Sequence, residues 1–159
     1  TEKALLNTFD LTETIRQVIG RYSELVKRDG YVIDFIAEEN ITVCADERMI
    51  LQVLYNLINN AINYTGNDKT VTIKQTVESC GIVKVSISDS GEGISKDDID
   101  HIWDRYYKVD KTHARAVTGT GLGLSIVSKI LQLHSASYGV ETSASQGTTF
   151  WFSLKVVNE

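Results

Sequence analysis

Apolar positions along the chain follow two alternating rhythms, one of helical period and one of period two. Ile15, Val18, Ile19, Tyr22 and Val26 recur at helical spacing and predict a helix over 12–27, with Asp10 or Thr12 as its cap. Residues 8–10 before it read as a short edge strand, and Asp29-Gly30 after it as a turn. Stretches 31–37 and 41–45 read as a hairpin around the loop 38–40. Asp46 then caps a second helix, which the segment 66–69 closes. Stretches 71–77 and 82–88 alternate apolar and polar side chains and predict paired strands around 79–81. A short helix is expected over 96–103, a longer one over 121–134, and a last hairpin from 136–143 and 148–156. Between the two helices, residues 106–119 are polar and basic with little periodicity. The simplest architecture is an α/β two-layer sandwich: a mixed, mostly antiparallel sheet covered on one face by about three helices.

Composition narrows the function classes. The chain has 159 residues, with 42% apolar and 23% charged, enough for one domain with a proper core. A net charge of −5 gives no general attraction for nucleic acid or an anionic membrane, so an anionic ligand needs a local site. No apolar run approaches the roughly 20 residues of a membrane helix, and no signal peptide is visible at the start. Cys44 and Cys80 stand far apart and outside metal-type spacings, which fits plain small residues in a reducing setting.

The second helix carries an unusual face. Asn56, Asn59, Asn60 and Asn63 follow i, i+3, i+4, i+7 spacing, while Ile50, Leu54, Leu57, Ile58 and Ile62 mark the opposite side. Two readings fit. A solvated polar face accounts for the periodicity, although Lys, Glu or Gln are better helix formers than asparagine. Alternatively, the short neutral amides face a ligand, as suits a hard cation such as Mg²⁺ whose charge is balanced by phosphates.

Two glycine motifs follow. Asp89-Ser90-Gly91-Glu92-Gly93-Ile94 comes directly after a predicted strand. It is either a simple turn or a close-approach loop whose Asp89 carboxylate accepts from an amine such as that of adenine. Gly119-Thr120-Gly121-Leu122-Gly123-Leu124 runs into a helix, either as a hinge or as a set of free backbone amides for phosphate. It is not the dinucleotide fingerprint, since position 124 is Leu, and it lacks the Lys-Ser or Lys-Thr of a P-loop. Between the motifs, Arg105, Lys108, Lys111, His113 and Arg115 belong either to a solvated loop or to a lid that lays cations over polyphosphate.

In this order the segments resemble the catalytic ATP-binding domain of two-component sensor histidine kinases. That superfamily also includes gyrase, the heat-shock chaperone ATPases and the mismatch-repair ATPases. The stretch from Asn56 to Thr65 is similar to the N box, Asp89 to Ile94 to the first glycine box, and Trp103-Asp104-Arg105-Tyr106-Tyr107-Lys108 to the F box. Gly119 to Leu124 resembles the second glycine box and Gly147-Thr148-Thr149-Phe150 the closing Gly-Thr element. The likeness runs from Phe9-Asp10-Leu11 to Leu154.

The resemblance implies a Bergerat-type fold over 1–159 with a mobile ATP lid near 104–120, and ATP and Mg²⁺ as cofactors. It implies Asn60 as the Mg²⁺ ligand and Asn56 at phosphate or metal-bound water. Tyr64 packs beside adenine and Asp89 binds its amine, with Gly91, Gly93 and Ile94 in the same box and Thr148 in the adjoining water network. Arg105 and Lys108 reach the phosphates from the lid. The amides of Gly121, Leu122, Gly123 and Leu124 cradle them, in a box that begins with Gly119 and Thr120. Asn56, Arg105 and Lys108 are the catalytic candidates, and Asn59 is expected to face solvent.

Some positions depart from the family pattern. Asn63 replaces the usual Lys or Arg, Trp103 and Tyr106 replace phenylalanines, and Ser135 and Ala136 replace glycines. The hydrolytic relatives carry a glutamate as general base four residues before the metal asparagine, where this chain has Asn56. A neutral amide is a poor base, which favours a kinase over an ATP-hydrolysing clamp. A non-catalytic nucleotide-binding module is a further alternative. The acceptor histidine of such kinases lies on a separate helical hairpin, and His101, His113 and His134 read as structural or solvated instead. The chain is therefore expected to be an excised catalytic domain, cytoplasmic, from a sensor kinase of the kind that is usually membrane-bound. Its expected partners are the dimerisation and phosphoacceptor domain of the same parent and, downstream, a response regulator, with no nucleic acid and no membrane insertion.

Overall fold

The computed structural model describes residues 2–78, 81–105, 107, 123–142 and 146–157. Strand β1 (Asn7–Asp10) leads into helices α1 (Leu11–Gly20) and α2 (Ser23–Asp29). Strands β2 (Val32–Ala37) and β3 (Thr42–Ala45) precede the long helix α3 (Glu47–Tyr64). Then come β4 (Thr70–Glu78), β5 (Ile82–Asp89), the short α4 (Lys96–Ile99), α5 (Gly123–Leu133), β6 (Tyr138–Thr142) and β7 (Thr148–Lys155).

The main sheet has the order β2-β4-β5-β7-β6, parallel only between β2 and β4. Alternation builds its covered face: Val71 and Ile73, then Val83, Val85 and Ile87, then Phe150 and Phe152 are all buried. Against it lie the apolar stripes of α1 (Leu11, Ile15, Val18) and α3 (Ile50, Leu54, Leu57), with Val127 and Leu131 of α5. The expected two-layer sandwich is thus the observed fold. Asp10 caps α1 by accepting from the Glu13 N–H at 2.9 Å, and Asp46 caps α3 through the Met49 N–H at 3.2 Å. Among the described residues no helix is long and apolar enough to cross a membrane.

Three expectations need correction. Residues 31–45 do not form a hairpin: β2 pairs in parallel with β4, and β3 pairs with β1 in a separate two-stranded sheet. The connection between them is captured by other elements. Ile41 N–H donates to Thr12 Oγ1 at 2.9 Å, the Thr12 hydroxyl donates to Gln75 Oε1 at 2.8 Å, and Gln75 Nε2 donates to the Glu39 carbonyl at 3.0 Å. Those bonds draw the chain off the sheet edge toward α1 before it can double back. Second, the helix expected over 12–27 breaks after Gly20, a weak helix former. The amides of Arg21 and Tyr22 tighten onto carbonyls three residues back, Val18 and Ile19. Third, α4 stops at Ile99 and gives way to three-residue turns (His101 N–H to Asp98, Asp104 N–H to His101).

Thr12 is fully buried and bridges two chain segments. Thr12→Val is nearly isosteric but leaves the Ile41 N–H without its acceptor, a loss of about 1–3 kcal/mol. The urea midpoint of unfolding is expected to fall with an unchanged slope.

Candidate functional site

A cavity of about 540 Å³ opens where the C-terminal end of α3, the turn after β5, the start of α5 and the first residues of β7 converge. Asn60 and Tyr64 line it from α3, Asp89, Gly91, Gly93 and Ile94 from the turn, Leu124 from α5 and Thr148 from β7. Eight residues expected from sequence to bind a ligand therefore share one wall system.

Asp89 ends β5 directly opposite Thr148 of β7 and is only 9% exposed. Burial pushes its carboxyl above the ordinary range, while the backbone N–H groups of Gly91 and Thr148 pull in the other direction. The Gly91 N–H reaches Oδ1 at 2.9 Å. That turn is possible because position 91 lacks a side chain: a Cβ there would lie 1.9 Å from the Tyr64 carbonyl oxygen. Further along, Ile94 N–H donates to Thr142 Oγ1 at 2.8 Å, and Thr142 Oγ1 lies 3.1 Å from Thr148 Oγ1. The turn is thereby held to the β6–β7 hairpin.

Asn56 stands one turn before Asn60 but does not line the cavity; its Nδ2 donates to the Gly123 carbonyl at 3.4 Å, where α5 begins. Arg105 is exposed and does not line the cavity. Lys108, Gly119, Thr120, Gly121 and Leu122 lie outside the described residues, as do Tyr106, His113 and most of the lid segment. Asn59 does not simply face solvent: the Tyr22 hydroxyl donates to its Oδ1 at 2.6 Å, because the break after α1 turns Tyr22 inward. Asn63 is 6% exposed, so the asparagine face is partly interior.

Sequence reasoning named no binding role for Thr65, Gly66, Asn67, Ser90, Ile102 or Phe150, all of which line the cavity. The signal for Thr65 and Ser90 was their place inside the N box and the first glycine box. Ile102 and Phe150 carry no chemical signature and arrive through packing.

The donor set limits which metal chemistry is possible. Among the described residues no group of three His, Cys, Asp or Glu side chains gathers into a metal site. A hard cation beside the neutral Asn60 amide would therefore complete its shell with water and the oxygens of an anionic ligand, which fits a metal carried in on a polyphosphate.

Mixed sheet, helical layer and enclosed carboxylate together define the two-layer α/β fold of nucleotide-binding catalytic domains. The profile of the histidine kinase-, DNA gyrase B- and HSP90-like ATPases matches residues 45–158, and the chain belongs to that family. It is 30% identical over 149 residues to the sensor-like histidine kinase SenX3 of Mycolicibacterium smegmatis, covering 94% of this chain and 38% of that protein. The chain thus spans well under half the length of that relative. The nucleotide-free catalytic domain of histidine kinase ThkA superposes with a TM-score of 0.81 at 30% identity, covering 94% of this chain and 95% of that one. Full-length ShkA in complex with AMPPNP superposes with a TM-score of 0.83 at 27% identity, covering 100% of this chain and 33% of that one.

Gly147 sits at φ +86°, and a Cβ there would lie 2.0 Å from the Asp89 carbonyl oxygen. Gly147→Ala adds about 1–3 kcal/mol of backbone strain and forces β7 away from Asp89. A lowered melting temperature, read by differential scanning calorimetry, is the expected result.

Proposed function

We propose that the chain binds Mg-ATP in this cavity and transfers the γ-phosphoryl group to a histidine on a separate dimerisation and phosphoacceptor domain. The observation that carries the reading is the buried Asp89 carboxylate facing the same cavity as the Asn60 amide. A buried acceptor in the cavity wall selects a ligand with an amine donor, and adenine presents one. Tyr64 packs beside the base, with Gly91, Gly93 and Ile94 along the chain next to it and Thr148 in the polar network at its edge. Asn60 contributes its side-chain oxygen to Mg²⁺, and Asn56 meets phosphate or metal-bound water. Arg105 and Lys108 from the lid, and the backbone amides of Gly121, Leu122, Gly123 and Leu124 in the box that begins with Gly119 and Thr120, hold the polyphosphate. The bound cation supplies charge neutralisation of the phosphates.

Transfer then needs alignment more than chemical activation. A neutral imidazole nitrogen of the acceptor attacks the γ-phosphorus as the bond to the bridging oxygen breaks, and ADP leaves. Asn56 occupies the place of a general base and cannot take a proton from water, so hydrolysis is disfavoured. Among the described histidines, His134 is a poor acceptor. Nε2 of His134 accepts from the Asp46 N–H at 3.0 Å, and its Nδ1 donates to the Ile130 carbonyl at 2.8 Å, so neither nitrogen is available. His101 pairs with Asp104 at 3.1 Å. The domain therefore acts as the cytoplasmic catalytic portion of a two-component sensor kinase, with a response regulator downstream.

Calorimetric titration with ATP, with and without Mg²⁺, tests the assignments. Asp89→Asn presents an amide donor to the base and is expected to weaken binding by about ten- to a hundredfold, the value of a charge-assisted hydrogen bond. Asn60→Ala is expected to blunt the response to Mg²⁺. Absence of binding by the wild-type chain would overturn the assignment.

Burial raises the Asp89 carboxyl above its ordinary range, and its ionised form is the stronger acceptor for the amine of the base. Affinity is thus expected to be full above that raised value and to fall as pH drops through it, and Asp89→Asn removes the dependence. On incubation with labelled ATP, the isolated chain is expected to remain unlabelled and a matching histidine hairpin added in trans to take up the label. Rapid stoichiometric labelling of the chain itself would refute the separate-acceptor model.

A further inference from the structure

A second polar cluster, unused by the roles above, ties the rim of the cavity to its floor. The loop after α3 folds against the turn that carries Asp89. The Thr65 hydroxyl donates to the Thr70 carbonyl at 2.7 Å, and its oxygen accepts from the Ser90 N–H at 3.3 Å. The Ser90 hydroxyl donates to Asp68 Oδ1 at 2.5 Å, and the same carboxylate oxygen accepts from the Thr70 N–H at 3.0 Å. Gly66 N–H donates back to Ser90 Oγ at 3.3 Å. These bonds hold the Asp68 carboxyl below the usual carboxylate range, the Ser90 hydroxyl being the larger cause.

The far end of the loop is pinned as well. Lys69 adopts a left-handed φ of +51°, its Nζ donates to the Asp29 carbonyl at 2.7 Å, and its own carbonyl accepts from Val32 N–H at 2.8 Å. No slack remains at the near end: a Cβ on Gly66 would lie 2.7 Å from the Ser90 carbonyl oxygen. The loop is therefore a fixed strut that grips Ser90 through Thr65, Gly66 and the Asp68 carboxylate, the last by the shortest of these bonds. Ser90 lies between Asp89, whose carboxylate faces the cavity, and Gly91, whose N–H orients that carboxylate.

We propose that Asp68 is a positioning residue for nucleotide binding: through Ser90 it fixes the 89–91 turn and with it the direction of the Asp89 carboxylate. The proposal rests on the nucleotide reading of the cavity. Asp68 is exposed and does not line the cavity, so its effect must pass through the groups its carboxylate holds, the Ser90 hydroxyl and the Thr70 N–H, of which Ser90 borders Asp89.

The test compares ATP affinity, measured by calorimetry in Mg²⁺ well below the melting temperature, for wild type, Asp68→Ala, Asp68→Asn, Ser90→Ala and the Asp68→Ala/Ser90→Ala double variant. Asp68→Ala is expected to weaken binding about fivefold, while Asp68→Asn stays within about twofold because its amide oxygen still accepts from Ser90 and Thr70. Ser90→Ala should match Asp68→Ala, and the double variant should be no weaker than either single, because the two act as one unit. Unchanged affinity in Asp68→Ala, an Asn variant as weak as the Ala variant, or additive losses in the double variant would each overturn the positioning role alone. A wild-type chain that binds no adenine nucleotide would overturn the nucleotide reading and this role together.

Discussion

The structure around the cavity answers to one constraint, a carboxylate buried at the end of a strand. An acid out of water must find hydrogen bonds or lose its charge. Asp89 finds them in backbone N–H groups from the turn after it and from the strand beside it. Each donor needs the main chain unusually close, and glycine supplies the approach at Gly91 and Gly147. The strand register does the rest: β5 and β7 bring Asp89 level with Thr148, so the floor of the cavity forms where that ladder ends. The burial leaves an acceptor in the pocket that is poorly hydrated and ready for a donor.

Helix α3 links this floor to the other walls. Its apolar stripe seats it on the sheet, and its polar groups are spent on neighbours. Asp46 caps its N-terminus and also accepts from the Leu5 N–H at 2.9 Å, while the Asp46 N–H is taken by His134 beyond the end of α5. Further along, Asn56 reaches Gly123 at the opposite end of α5. These two contacts hold α3 and α5 antiparallel, which carries Asn60, Tyr64 and Leu124 to the same cavity. Asn59 serves the same purpose in the other direction, fastening α3 to the break after α1. An asparagine-rich face thus divides its labour between ligand side and scaffold.

The aromatic packing behind the cavity has a related logic. Trp103 stands edge-on to Phe150, with ring centroids 5.5 Å apart, and to Tyr138 at 5.2 Å. Phe150 lines the cavity, and the Tyr138 hydroxyl meets Ser128 of α5 at 2.9 Å. The segment after α4, the central sheet and α5 therefore share one aromatic joint.

Local chemistry in the sequence determined much of this. Alternation located β4 and β5, helical periodicity located α3 and the run that splits into α1 and α2, Asp46 announced its cap, and Asp10 was one of two candidates for the other. Motif order singled out Asn60, Tyr64, Asp89, Gly91, Gly93, Ile94, Leu124 and Thr148, which the fold gathers around one cavity, because the motifs place these residue types at fixed offsets from their neighbours. Tertiary structure alone decided where β2 and β3 pair, since strand partners depend on contacts far apart in the chain, here Thr12 and Gln75 holding the 39–41 connection. It decided that Tyr22 turns inward to Asn59, because the break after Gly20 sums weak local preferences against a distant acceptor. It also decided that Ile102 and Phe150 wall the cavity and that Asp68 braces its turn. Burial and long-range hydrogen bonding are properties of the packed chain, and no local window of the sequence contains them.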